Sequence, residues 1–248
     1  MTYCLGLRCQ EGLVFLSDSR TSAGVDNITT HPKMRVYERL GDRVLCLLSS
    51  GNLSITQSVT SLIERDLERA EVDPSFPTLL NQPNLYETVR YVGERIREVR
   101  KLDAEALHSA GIHFNINLIL GGQIGPQAPE IYQLYPEGNA IHASRETPFL
   151  QIGELKYGKP ILDRGFHHET PLAEAVKYGL LSLDATAKSN VSVGTPFELF
   201  CYRKDELAAT CRMKFEENDP YLSTVRERWQ SGLIQLVHDI PVLDYLQK

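Results

Sequence analysis

Threonine at position 2 stands directly behind Met1. A starting methionine before so small a side chain is expected to be removed, leaving Thr2 with a free α-amine. One residue would then hold both a hydroxyl nucleophile and the base that activates it, because the amine can take the hydroxyl proton. An α-amine ordinarily titrates near about 7.7–8.0. A modest depression puts it close to neutral pH, where a general base works best.

Three further groups of residues complete a usable site. Asp18-Ser19-Arg20 follows a β-prone stretch, Lys33 lies beyond a polar loop, and Ser49-Ser50-Gly51-Asn52 ends an apolar run. Each has an ordinary reading alone: turn charges, a solvated lysine, a residue at a helix start. Taken together, a Lys33 ammonium near Thr2 favours the neutral amine, and Asp18 keeps Lys33 charged and in place. The backbone N–H of Gly51, at a helix N-terminus, can meet an oxyanion.

Other chemistries fit less well. His167-His168-Glu169 and the pair His108 and His113 lack the helical spacing of a metalloprotease, so no metal and no cofactor is expected. The stretch from Gly121 to Pro126 follows a strand, but Pro126 and the next strand leave no helix to bind phosphate; it reads as a hairpin turn. Cys4, Cys9, Cys46, Cys201 and Cys211 form no CxxC pair, which suits reduced thiols in a cytoplasm. Cys4 and Cys9 read as packing positions. The run Glu64 to Arg69 alternates in sign and reads as a solvated helix face. Asn27, Asn52 and Asn190 each open a glycosylation sequon that a cytoplasmic chain would not use.

The 26 Lys and Arg against 32 Asp and Glu give a formal charge of −6, with no basic block, which argues against a dedicated nucleic-acid binder. No apolar run reaches the roughly 18–20 residues of a membrane helix, and the opening residues lack the pattern of a secretory leader. With 248 residues, 42% of them hydrophobic, the chain can bury a large core and reads as one domain over 1–248.

The elements that must position these residues are legible in outline. Strands are expected at 3–8, 12–17, 43–50, 113–120, 130–135, 140–144 and 197–203. Apolar residues at helical spacing predict helices over 53–70, 85–102 and 221–238, and one starting at Thr170-Pro171, with Thr170 as N-cap and Pro171 in the first turn. Strands and helices come in blocks rather than in β-α-β alternation. That predicts an α+β fold with two antiparallel sheets packed together and helices outside.

In this order the motifs resemble the proteasome-type β-subunits, a branch of the N-terminal nucleophile (Ntn) hydrolases. The resemblance spans nearly the whole chain: Thr2, the block from Gly12 to Asp18-Ser19-Arg20, Lys33, Ser50-Gly51, two helices, a Gly-Gly turn, Pro136 to Asn139, a third helix and Asn190-Val191-Ser192. The segments SDSRTSAGVD, LLSSGNL, LQIGELKYGKPILDRG and SNVSVG are similar to the bacterial ancestral β-subunit branch, Anbu. The resemblance implies a four-layer αββα sandwich and a threonine-type peptidase that cleaves peptides or unfolded proteins through an acyl-enzyme. It implies identical subunits assembled into a ring or open spiral, with any unfoldase partner unidentified. Thr2 would be the nucleophile, Asp18 and Lys33 would tune its amine, Gly51 would bind the oxyanion, and Asn190 and Ser192 would lie close by. Thr21, His31 and Ser49 would line the pocket for the residue before the scissile bond. Two positions depart from the proteasome pattern. A Gly-Ser turn stands here as Gly153-Glu154, which adds a negative charge. An Asp ahead of a supporting Ser stands here as Asn190, which removes one. Amide transfer by the same site, or a non-catalytic ring subunit, are the alternative outcomes on this fold.

Overall fold

A computed structural model describes residues 2–22, 28–243 and 245. Met1, and Asn27 of the first sequon with the rest of 23–27, lie outside the described residues. The first sheet is built from β1 (Tyr3–Cys9), β2 (Gly12–Asp18), β10 (Phe149–Gly153), β11 (Phe197–Arg203) and β12 (Cys211–Phe215), in the order β10-β1-β2-β11-β12. The second holds β5 (Met34–Arg39), β6 (Arg43–Gly51), β7 (Ile116–Ile124), β8 (Glu130–Leu134) and β9 (Ala140–His142), in sequence order. Every pairing in both sheets is antiparallel. A short ribbon of β3 (Arg20–Ser22) and β4 (Ile28–Thr30) lies outside them.

Among the described residues five helices cover the outer faces. α1 (Leu53–Val72) and α2 (Leu85–Ser109) pack on the second sheet through Ile55, Val59, Val92 and Ile96. On the first sheet lie α3 (Lys159–Gly165), α4 (Leu172–Ser189) and the start of α5 (Pro220–Asp239), through Leu162, Leu180, Leu183 and Leu222. Between the sheets, Phe15, Phe200, Leu13, Leu48, Ile119 and Ile131 form a third apolar layer. The chain is therefore an αββα sandwich, the Ntn-hydrolase fold expected from the sequence. Its strands are buried on both faces because each sheet meets helices on one side and the other sheet on the other. That explains the continuous apolar run in β6, whose first six residues are all buried.

Two local expectations are corrected. Gly121 and Gly122 are not a turn; both lie inside β7, and the reversal comes after Ile124. A Cβ at Gly121 would collide with Ile131 and Phe15, so glycine there lets the two sheets and the neighbouring strand approach closely. Thr170 is not the N-cap of α4. Pro171 holds that place, and the Thr170 hydroxyl instead accepts from the His167 N–H at 3.0 Å. A Pro, fixed in φ and lacking an N–H, makes the turn into the helix without a side-chain cap.

Position 3 ties the layer carrying Thr2 to the helices behind it. The Tyr3 hydroxyl lies 2.6 Å from Ser182 Oγ on α4 and accepts from Gln151 Nε2 at 2.5 Å. Burial pushes its pKa up to about 12, so it stays a neutral donor. Tyr3→Phe is expected to cost about 1–3 kcal/mol in urea unfolding, because buried partners lose their hydrogen bond.

Candidate active site

The two sheets end together at one edge of the sandwich. There the start of β1, the end of β2 and the end of β10 face the end of β6, the start of β7 and the segment leading into β5. A cavity of about 410 Å³ opens between them. Thr2, Lys33, Ser50, Gly51 and Gly153 line it. Thr21, His31 and Ser49 line it too, with Leu53, Thr56, Asn115 and Asn117, which the sequence reading did not single out. Asn115 and Asn117 flank the start of β7 and carry no motif that would have marked them.

Thr2 is half-buried, one residue ahead of β1. Its carbonyl accepts the Glu154 N–H at 2.7 Å. Gly153, with φ +88°, makes that approach possible: a Cβ there would run into the Thr2 carbonyl. The leading edge of β1 is thus clamped from the side of β10.

Beside the start of β1 sits a buried ion pair. Lys33 Nζ donates to Asp18 Oδ1 at 2.7 Å, with the two side chains 7% and 0% exposed. Lys33 donates again to the Arg20 carbonyl at 2.7 Å. Asp18 also accepts the Tyr3 N–H at 2.9 Å and the Gly194 N–H at 3.4 Å. Burial pushes the Asp18 carboxyl above its ordinary value, while the Lys33 ammonium and these donors pull it back. Ser49 N–H donates to the Lys33 carbonyl at 3.0 Å, which fixes the lysine backbone to β6. Gly51 closes β6, and Asn52 caps α1 by accepting the Ser54 N–H at 2.9 Å. Cys4 packs below, its thiol donating to the Ser49 carbonyl at 3.6 Å, and burial pushes its pKa up, as suits a packing position.

Asn190 and Ser192 stand differently. Asn190 ends α4 and donates from Nδ2 to Glu154 Oε2 at 3.0 Å, so it reaches Thr2 through Glu154. Its Oδ1 accepts the Ser192 N–H at 3.0 Å. Neither residue lines the cavity. The two positions that depart from the proteasome pattern, 154 and 190, are therefore hydrogen-bonded to each other, which spacing alone did not show. Among the described residues no cluster of three or more metal-ligating side chains forms, and no helix is long and apolar enough to cross a membrane.

The sandwich and the threonine at its open end define the class of proteasome-type Ntn hydrolases. No family model matches the sequence. The chain is 43% identical to an Anbu (Gly-1) mutant from Hyphomicrobium sp. strain MC1, with a TM-score of 0.90 over 98% of this chain and 100% of that one. It is 39% identical to the Anbu chain from Pseudomonas aeruginosa whose structure is described as a helical assembly, with a TM-score of 0.92 over 99% and 100% of the two chains. It is also similar to the proteasome subunit beta of Methanobrevibacter smithii, at 23% identity over 82% of this chain and 88% of that protein. The chain belongs to the Anbu branch, the ancestral β-subunits of this class.

Proposed function

We propose that this chain is a threonine-type peptidase that acts after Met1 is removed. The observation that carries the reading is that Lys33, paired with buried Asp18, lines one cavity with Thr2, while Asp18 accepts the N–H of the next residue, Tyr3. The Lys33 ammonium disfavours protonation of the Thr2 amine, and Asp18 stops the lysine from losing its own proton. The neutral amine takes the Oγ proton as Oγ attacks the scissile carbonyl. The oxyanion that forms is met by the Gly51 N–H. Collapse breaks the peptide C–N bond, and the amine product leaves with the proton. Water then attacks the ester, releases the carboxylate product and restores Thr2. Thr21, His31 and Ser49 hold the side chain before the scissile bond. These steps need no metal or cofactor, and the site of action is the cytoplasm.

We also read the active form as an assembly of identical chains. The Pseudomonas aeruginosa relative is described as a helical assembly. In this chain the distal part of α5 and the residues after it expose Leu233, Ile234, Leu236, Val237, Ile240 and Leu243, an apolar face that contact between copies would cover. Substrates are peptides or unfolded segments able to enter the cavity.

The test is covalent capture. A peptide carrying an electrophilic carbonyl is expected to add one equivalent of mass to the protein, on the tryptic peptide that begins with Thr2. Labelling elsewhere, or none on protein whose intact mass shows Met1 removed, overturns the peptidase reading.

A further inference from the structure

Glu154 is placed beside Thr2 by its backbone and held by its side chain. Its N–H donates to the Thr2 carbonyl at 2.7 Å. Its Oε2 accepts from Asn190 Nδ2 at 3.0 Å, and its Oε1 accepts the Lys156 N–H at 3.0 Å. Both donors are neutral, and among the described residues no Lys or Arg forms an ion pair with this carboxylate. Its charge is oriented but not cancelled.

The turn that holds Glu154 also reaches the ion pair. Asn190 fixes Glu154 at one end, and the Gly194 N–H donates to Asp18 at the other. Between them the Val191 carbonyl accepts from Arg20 Nη1 at 2.9 Å, and the Arg20 guanidinium lies against Gly194. The peptide linking Thr2 to Tyr3 is therefore held by two acidic residues, by the Asp18 carboxylate on the Tyr3 N–H and by the Glu154 backbone N–H on the Thr2 carbonyl. Asp18 is matched by Lys33, and among the described residues no Lys or Arg is paired with Glu154.

We infer that Glu154, oriented by Asn190, is a positioning residue that opposes Lys33 by raising the proton affinity of the freed α-amine of Thr2, and so restrains the nucleophile at neutral pH. This rests on the reading of Thr2 as the leading residue. Around Thr2, Lys33 and His31 line the same cavity, Asp18 of β2 accepts the Tyr3 N–H, the Cys4 thiol lies two residues on in β1, Glu154 donates its N–H to the Thr2 carbonyl from beyond β10, and Arg20 lies against the 190–194 turn. The Lys33 cation lowers the amine's pKa, and the Glu154 anion raises it. Removing the anion without changing shape leaves the cation unopposed.

The experiment titrates the amine and does not depend on turnover. Protein is released with Thr2 leading from a cleavable N-terminal fusion and checked by intact mass. Acylation of its α-amine by a small water-soluble active ester is followed from pH 5 to 10 by peptide mass spectrometry, since only the neutral amine reacts. Glu154→Gln is expected to acylate roughly tenfold faster than wild type at pH 7, a fall of about one pH unit in the midpoint. Asn190→Asp places a second carboxylate against the first and is expected to move the midpoint the other way; it carries the test if Glu154→Gln melts early. Superimposable profiles for wild type and the folded variant overturn the inference. Peptide turnover is measured on the same samples. Its absence from every sample counts against the peptidase reading alone, while the acylation profiles still decide the role of Glu154.

Discussion

Thr2→Ala is expected to lower peptide turnover by roughly three to six orders of magnitude, as removal of a covalent nucleophile does. That corresponds to about 4–8 kcal/mol of lost transition-state stabilisation. Alanine is small enough for Met1 still to be removed, so the variant keeps a free amine and the Lys33–Asp18 pair and loses only the oxygen. Its stability should barely move, because Thr2 is half-buried and its carbonyl still accepts the Glu154 N–H. Thr2→Ser retains oxygen and amine and should keep measurable turnover. Chemical acetylation of the amine on wild-type protein keeps the oxygen and removes the base, and should also abolish activity. Initial rates on a broad peptide library separate the three. Equal turnover by Thr2→Ala and wild type would remove the nucleophile from the mechanism, whatever its neighbours do.

Part of the candidate site was legible because its residues form an ordered set, although each alone has an ordinary reading. A Thr behind Met1, an Asp at a strand end, a Lys beyond a loop and a Gly at a helix start together suggested one site, and Thr2, Lys33 and Gly51 line one cavity. The fold was legible where burial is two-sided or strictly periodic. β11 falls on 197–203 as read, and Ile55, Val59 and Ile63 of α1 are buried at helical spacing. The reading failed where burial gave no pattern. α2 runs on past Leu102 to Ser109 through residues that are largely exposed, with Leu107 packing against the core. β12 was missed because Arg212, Met213 and Lys214 are all exposed on an edge strand. The contact between Glu154 and Asn190 joins residues 36 apart in sequence. Nothing in their types announces it.

Asp18→Ala is the substitution expected to cost the fold most. The carboxylate is wholly buried and accepts from the Lys33 ammonium and from the Tyr3 and Gly194 N–H groups. Alanine leaves the ammonium in the interior with the Arg20 carbonyl as its remaining acceptor, and strands two N–H donors. Breaking a buried pair from one side costs about 3–5 kcal/mol, because the surviving charge has lost its compensation. Much of the stability of an ordinary domain, about 5–15 kcal/mol, would go with it. The sign of the coupling is the sharper test. If the cost is the orphaned ammonium, then Asp18→Ala combined with Lys33→Met should be more stable than Asp18→Ala alone, since the second change removes the unpaired charge. Urea unfolding of the four proteins closes the cycle. Additive costs would show that Asp18 matters for its N–H partners and not for its charge. Both the double variant and Lys33→Met alone should lose turnover, because each leaves the Thr2 amine without the neighbouring cation that keeps it neutral. A stable double variant without activity is therefore the outcome that assigns this pair to chemistry rather than to holding the sandwich together.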